Sequence, residues 1–203
     1  MTLLLFLLWG CGDNPGAQPP APATATEAQP EAGDDSDAEA LERTRSAAMK
    51  LGSTLKARLL PTLQKDGPLK ALHICADEAQ GMTAIVRGET GVAVGRLGTR
   101  TRNPANRAPA WAQQWLADAA AEGHSEWSAS AAIRERDGRR LATFAAPIVI
   151  AEPCLACHGQ PSEAVATALA QRYPNDEATG YGAGDLRGVL WAELDIGVLS
   201  QKP

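Results

Sequence analysis

With 203 residues, 44% of them hydrophobic, the chain is long enough for one domain with a real core and for an appendage besides. The formal charge of −5 is unevenly spread. Residues 1–36 hold five acids (Asp13, Glu27, Glu31, Asp34, Asp35) and no Lys or Arg, so the 24 acids less these five balance the 19 bases of the rest. A formally neutral body without a basic run lacks the electrostatic footprint of a nucleic-acid binder, and that class is excluded.

The chain opens on an apolar run, "TLLLFLLWGC", too short to cross a bilayer as a helix and of the length of a secretory signal core. No Lys or Arg precedes it, a departure from the usual positive leader. Its end, Leu8-Trp9-Gly10-Cys11, resembles a bacterial lipobox, which makes residues 1–10 a lipoprotein signal peptide and Cys11 the lipidated residue. Residues 11–36 form an Ala/Pro-rich stretch with no aromatic or large aliphatic side chain, which cannot bury enough apolar surface to offset its ordering entropy. It is expected to be a disordered tether, reaching on the order of 75 Å if extended at about 3.1 Å per residue. The membrane is thus an expected partner, and the expected location is the periplasmic side of a bacterial membrane. Gly12 does not look like an inner-membrane retention signal, which leans toward the outer membrane.

From Asp37 the pattern turns helical. "SDAEALERTRSAAMKLGSTLKARLLPTLQKDG" begins with a capping box, Ser36 and Glu39, and sets Leu41, Met49, Leu55, Leu59 and Leu63 near one stripe, ending at Asp66-Gly67-Pro68. A second helix is predicted from Pro68 into the eighties, with Pro at its first turn. "GVAVGRLG" reads as a strand, "TRTRNPANRAP" as an ordered turn, and "PAWAQQWLADAAAEG" as a helix with Trp111, Trp115 and Leu116 on one face. Two strand-like runs, "SEWSASAAIRER" and "RRLATFAAPIVIA", flank Asp137-Gly138, a hairpin dipeptide. "PSEAVATALAQRYP" is a helix and "LRGVLWAELDI" a last strand. Helices followed by antiparallel strands predict an α+β domain over 37–203.

Between the second hairpin strand and the helix after it lies "EPCLACHGQ", residues 152–160, in a chain of four cysteines and three histidines. A thioredoxin-like C-x-x-C belongs in a βαβ unit, whereas this one follows a hairpin. Zinc would need a fourth ligand from Cys75, His73 or His124, and a plain disulfide leaves the histidine unexplained. C-x-x-C-H is the attachment pattern of one covalent haem c. Cys154 and Cys157 would add to its vinyl groups, and His158 would be placed to ligate iron. Export agrees with that chemistry. Cys75 is then a leftover thiol, either a small buried hydrophobe or a group with a use. His73 lies two residues earlier, about 200° away on a helix, so that only one of the two can face the haem.

Four stretches, "ALHICADEA", "VGRLGTRTRNPANRAPAW", "PCLACHG" and "DEATGYGAGDLRGVLWAEL", together resemble the Tll-like family of single-haem c-type proteins over residues 40–197. The resemblance implies a PAS-like sensor fold that also serves as an extracytoplasmic input module of some histidine kinases and chemoreceptors. It makes His158 the proximal iron ligand and Cys75 the distal one, with His73, Met82, Met49 or an open position as alternatives. It sets the Arg102-Asn103-Pro104-x-Asn106 turn near the haem pocket. Gly98 stands where members usually carry Ser. A thiolate ligand would stabilise ferric iron and keep the reduction potential low.

Two functions fit this equipment, redox sensing or signalling and electron transfer by a tethered cytochrome c. No kinase or methyl-accepting portion is recognisable, so a sensory output would fall to a separate redox or signalling protein. The chain is not read as an enzyme, and His124 is read as a surface histidine rather than a catalytic base. Trp111, Trp115, Trp127 and Trp191 are assigned to the core, and Gly180, Gly182, Gly184 and Gly188 to a turn rather than a phosphate loop.

Overall fold

The structure is a computed structural model and describes residues 33–122 and 128–197. Cys11, the tether up to residue 32, His124 and Trp127 lie outside the described residues. The chain is α+β, as its sequence implies. A four-stranded antiparallel sheet carries helices on both faces. No helix among the described residues is long and apolar enough to cross a membrane.

Helix α1 runs from Gly33 to Asp66, 34 residues and about 50 Å at 1.5 Å per residue. It begins four residues before the expected Asp37, with Asp35 in its first turn, where a carboxylate complements the positive end of the helix. The Ser36–Glu39 capping box therefore falls inside the helix and does not mark its start. An ion pair between Asp37 and Arg140 ties this end to the sheet. The face that packs is built from small residues more than from leucines. Ala40, Ala47, Ala48 and Leu51 are buried, Leu41 and Leu55 pack at the margin, and Met49 is exposed. Gly52 permits the close approach, because a Cβ there would stand 2.9 Å from Leu190 Cδ1.

The second predicted helix is three pieces: α2 (Pro68–His73), a π-helical turn (Ile74–Glu78) and α3 (Ala79–Thr90), capped by Gly91 in the left-handed region at φ 66°. Strand β1 (Ala93–Gly98) leads by a long connection to α4 (Ala110–Glu122). Strands β2 (Ser130–Arg136) and β3 (Arg139–Val149) form the predicted hairpin, closed by Arg136 opposite Arg139. Asp137 and Gly138 both have positive φ, 53° and 70°, as a two-residue turn matched to strand twist requires. After a 3₁₀ turn (Glu152–Cys154) come α5 (Leu155–His158), α6 (Glu163–Arg172) and β4 (Leu186–Asp195).

The strand order is β1-β4-β3-β2, so β4 is inserted between β1 and β3. One face of the sheet (Val94, Phe144, Ala192, Leu194) buries against α1, and the other (Ala145, Val189, Leu97) packs on α4 through Leu116, Ala119 and the half-buried Trp111 and Trp115. Antiparallel pairing brings Gly98 opposite Gly188 and Val149 opposite Leu186. The ends of β1 and β3 and the start of β4 therefore meet at one end of the sheet, and the connections leaving them are brought together there.

Candidate functional site

The C-x-x-C-H residues occupy this end. Cys154 closes the 3₁₀ turn, and Leu155–His158 is the single helical turn α5. The segment is laced to the chain before β4: Ile150 N–H donates to Asp185 O at 2.9 Å, Gly180 N–H to Gly159 O at 2.7 Å, and Tyr181 N–H to His158 O at 2.9 Å. Beneath it Ile150, Ala178 and Tyr181 form a small apolar cluster against which Cys154 and Leu155 pack. Cys157 faces a second cluster, Leu72, Val165, Leu169 and Tyr173, which it shares with Ala76 of the π turn. Two helices distant in sequence thus meet across Cys157.

His158 is fixed by its ring. Nδ1 lies 2.8 Å from the carbonyl oxygen of Ala178. A carbonyl only accepts, so Nδ1–H donates and the lone pair resides on Nε2, the arrangement that orients a metal-ligating imidazole. Burial, reinforced by the guanidinium groups of Arg102 and Arg187, lowers the imidazolium pKa to about 4. At neutral pH the ring is therefore uncharged, the form that binds metals.

Arg102 holds the surrounding loops. Its side chain is buried, its Nε donates to both oxygens of Asp176 (3.0 and 3.1 Å), and its Nη2 donates to the carbonyls of Cys157 (2.7 Å) and Ala178 (3.0 Å). Asp176 in turn accepts from Ala178 N–H at 2.9 Å. One guanidinium so joins the loop after β1, the cysteine motif and the segment before β4. The rest of the sequence-predicted turn is placed more peripherally. Asn103 Oδ1 accepts from Ala105 N–H within the turn, Pro104 is exposed, and Asn106 Oδ1 accepts from Gln80 Nε2 on α3 at 2.7 Å.

Cys75 sits in the π turn. Widened helical turns recur at functional positions because the extra residue re-aims a side chain. Burial raises its thiol pKa, opposed by Arg96, Arg102 and Arg187, while Cys154 is near enough to add to the rise. Burial likewise raises the Cys157 thiol, with Cys75 and Cys154 both contributing. The three thiols therefore lie near enough for their charges to interact. His73 is turned outward, 67% exposed, with Nδ1 3.3 Å from Asp77 Oδ2. Of the alternatives on the helices, Met49 is exposed and Met82 half-buried.

Several participants carry no sequence signal of their own. Arg96 of β1 and Arg187 of β4 both reach the site, and burial pushes both guanidinium groups below their ordinary range. Arg100 lies 3.7 Å over the Tyr181 ring, whose hydroxyl is 2.7 Å from Thr99 Oγ1. Among the described residues no group of three or more His, Cys, Asp or Glu side chains converges as a metal cluster. An open depression of about 280 Å³ lined by Arg87, Arg107, Trp191 and Glu193 shares no residue with the site.

Residues 25–193 match the Tll0287-like family, most of the chain's length. No curated protein sequence matches the chain. Among solved structures it is similar to that described as "Crystal structure of the cyanobacterial heme-protein Tll0287", at 21% identity and a TM-score of 0.47, covering 58% of this chain and 69% of that one. By the match over residues 25–193, the chain belongs to the Tll0287-like family.

Proposed function

We propose that this chain is an extracytoplasmic c-type haem protein, tethered to a membrane through lipid on Cys11 and acting in redox sensing or signalling. The protein whose name the family bears is described as a heme-protein, and the residues present here fit such a group. Cys154 and Cys157 would hold it by thioethers, and His158 and Cys75 would be the iron ligands. When bound, the haem would supply a one-electron couple. What this chain contributes is support: Ala178 keeps the Nε2 of His158 free, Arg102 locks the motif to two loops, and Leu72 of α2 and Ala76 of the π turn pack in the cluster that Cys157 faces.

The observation that carries the sensing reading is the position of Cys75 on a π turn between two regular helices. A π turn exchanges for a regular helical turn by a shift of one residue in hydrogen-bond register, so a change at Cys75 has a local backbone coordinate to act on. The experiment is periplasmic expression with haem-maturation machinery, followed by absorption spectra of the oxidised, reduced and alkaline pyridine forms. A c-type pyridine spectrum with a low-spin ferric band typical of sulfur ligation is expected. Amide hydrogen exchange of both oxidation states then separates the roles. Redox-dependent exchange over residues 68–90 marks a sensor, whereas identical exchange with fast self-exchange of electrons marks an electron-transfer cytochrome c. A protein without covalent haem overturns both.

A further inference from the structure

Around the thiols and His158 the chain gathers more positive charge than it neutralises. Arg102 is matched by Asp176 at 2.9 Å. Arg96 and Arg187 are not matched: among the described residues neither forms an ion pair with a carboxylate. Arg96 follows Val94 by two residues on β1 and so leaves the same face of the strand. Its Nη1 is buried without a hydrogen-bond partner, and its charge is felt at Cys75 and Tyr173. Arg187 donates from Nη1 to the carbonyl of Arg100 at 3.0 Å, lies 5.5 Å over the Tyr181 ring, and is felt at His158.

The backbone makes room for Arg187. A Cβ on Gly98 would stand 2.0 Å from Arg187 Nη1 and 2.7 Å from the carbonyl oxygen of Arg100. The absence of a side chain at 98 is what admits the guanidinium. Buried cations without a carboxylate partner are expensive, and proteins keep them where an anion completes them. Arg96 acts on Cys75 and Arg187 on both Cys75 and His158, the two positions assigned to the iron.

We propose that Arg96 and Arg187 are the carboxylate anchors of the site, taking the two propionate groups of the haem. The inference rests on the haem reading given above. Two unmatched guanidinium groups meet two carboxylates, charge for charge, and the planar fork of arginine suits a carboxylate better than a lysine does. Arg102, already matched, is structural; Arg100, also without a carboxylate, lies closer over the Tyr181 ring (3.7 Å, against 5.5 Å for Arg187), donates to the Thr179 carbonyl and is not among the charges that act on Cys75 or His158.

The test uses the matured, haem-loaded protein and its Arg96→Gln, Arg187→Gln and double variants, with Arg96→Lys as the conservative control. A positive charge beside the haem favours its reduced form, so each Gln variant is expected to keep covalent haem and to show a lower midpoint potential. The double variant is expected to shift furthest and the Lys variant least. In redox-induced infrared difference spectra, the propionate bands are expected to change in the Gln variants. The wild type alone gives an independent readout, because ¹⁵N-arginine labelling is expected to move a guanidinium band in its difference spectrum. Covalent haem with unchanged potential and propionate bands in both Gln variants overturns the proposal while leaving the haem reading intact. Should the variants not fold, an absence of any arginine band in the wild type overturns it equally. A wild-type protein with no covalent haem defeats the haem reading and takes this proposal with it.

Discussion

His158 and Arg102 share one acceptor: the carbonyl oxygen of Ala178 takes the imidazole Nδ1–H at 2.8 Å and a guanidinium Nη2–H at 3.0 Å. The orientation of the histidine therefore depends on a loop that Arg102 and Asp176 hold from the other side. Because both partners of that ion pair are 8% exposed, removing either leaves an uncompensated buried charge. Arg102→Gln and Asp176→Asn are each expected to cost about 3–5 kcal/mol of unfolding free energy. In a denaturant-unfolding double-mutant cycle the two losses should fall well short of adding. Additive losses would mean that the pair does not act as a unit.

The opposed directions of Cys75 and His73 give a second contrast. Cys75→Ala is expected to abolish the sulfur band of the ferric spectrum and to raise the reduction potential, since a thiolate stabilises ferric iron. His73→Ala, at an exposed side chain, should change neither. The reverse pattern in spectroelectrochemistry would move the ligand to His73.

Gly98 and Gly188 face each other where β1 and β4 come closest, and a Cβ on Gly188 would stand 2.0 Å from the Leu97 carbonyl oxygen. Gly188→Ala meets backbone at 2.0 Å, whereas Gly98→Ser meets the flexible end of Arg187 at 2.0 Å and backbone, the Arg100 carbonyl oxygen, only at 2.7 Å. Gly98→Ser is therefore expected to be the milder change, about 1–3 kcal/mol by overpacking. It should shift the midpoint potential in the same direction as Arg187→Gln. Thermal unfolding and redox titration of the two glycine variants check this.

The Asp137-Gly138 turn provides a change remote from the site. With φ at 70°, Gly138→Val forces a β-branched residue into the left-handed region, a loss of about 1–2 kcal/mol. The denaturant midpoint should fall while the absorption spectrum stays as in the wild type. A spectral change would show that the hairpin end is coupled to the cysteine motif.

For the anchor, Cys11→Ser is expected to move the protein from the membrane fraction to the soluble periplasmic fraction. Salt washing should leave the wild type in place, because acyl chains hold by apolar burial rather than charge. Wild-type protein released by salt would argue against lipidation.

Much of the fold could be read along the chain because it is locally specified. The Asp-Gly turn predicts its hairpin, Pro68 marks the start of the middle helices, and the apolar runs find their strands. The packing face of α1 was not legible in the same way. A leucine stripe is the usual signature of burial, but this helix lies close enough to the sheet that Ala40, Ala47, Ala48 and Gly52 do the contacting. The π turn at Ile74–Glu78 also escapes periodicity, because one added residue per turn barely alters a five-residue pattern. At the site, the C-x-x-C-H spacing is visible to inspection. Asp176, Arg96 and Arg187 are not, since each acts on a group far off in the chain: Asp176 on Arg102, Arg96 on Cys75 and Arg187 on the Arg100 carbonyl.

Strand β4, the last in sequence, lies in the middle of the sheet and holds both β1 and β3. Before it arrives, β1 has no strand to pair with, and the earlier residues have only the β2–β3 hairpin as sheet. Folding must therefore wait for contacts of long sequence separation, the kind that slow a chain. Cys154 and Cys157 precede β4 by about 30 residues. A chain emerging amino end first presents its thiols before the strand that closes the sheet can dock, which leaves an interval in which the two sulfurs are open to a modifying enzyme.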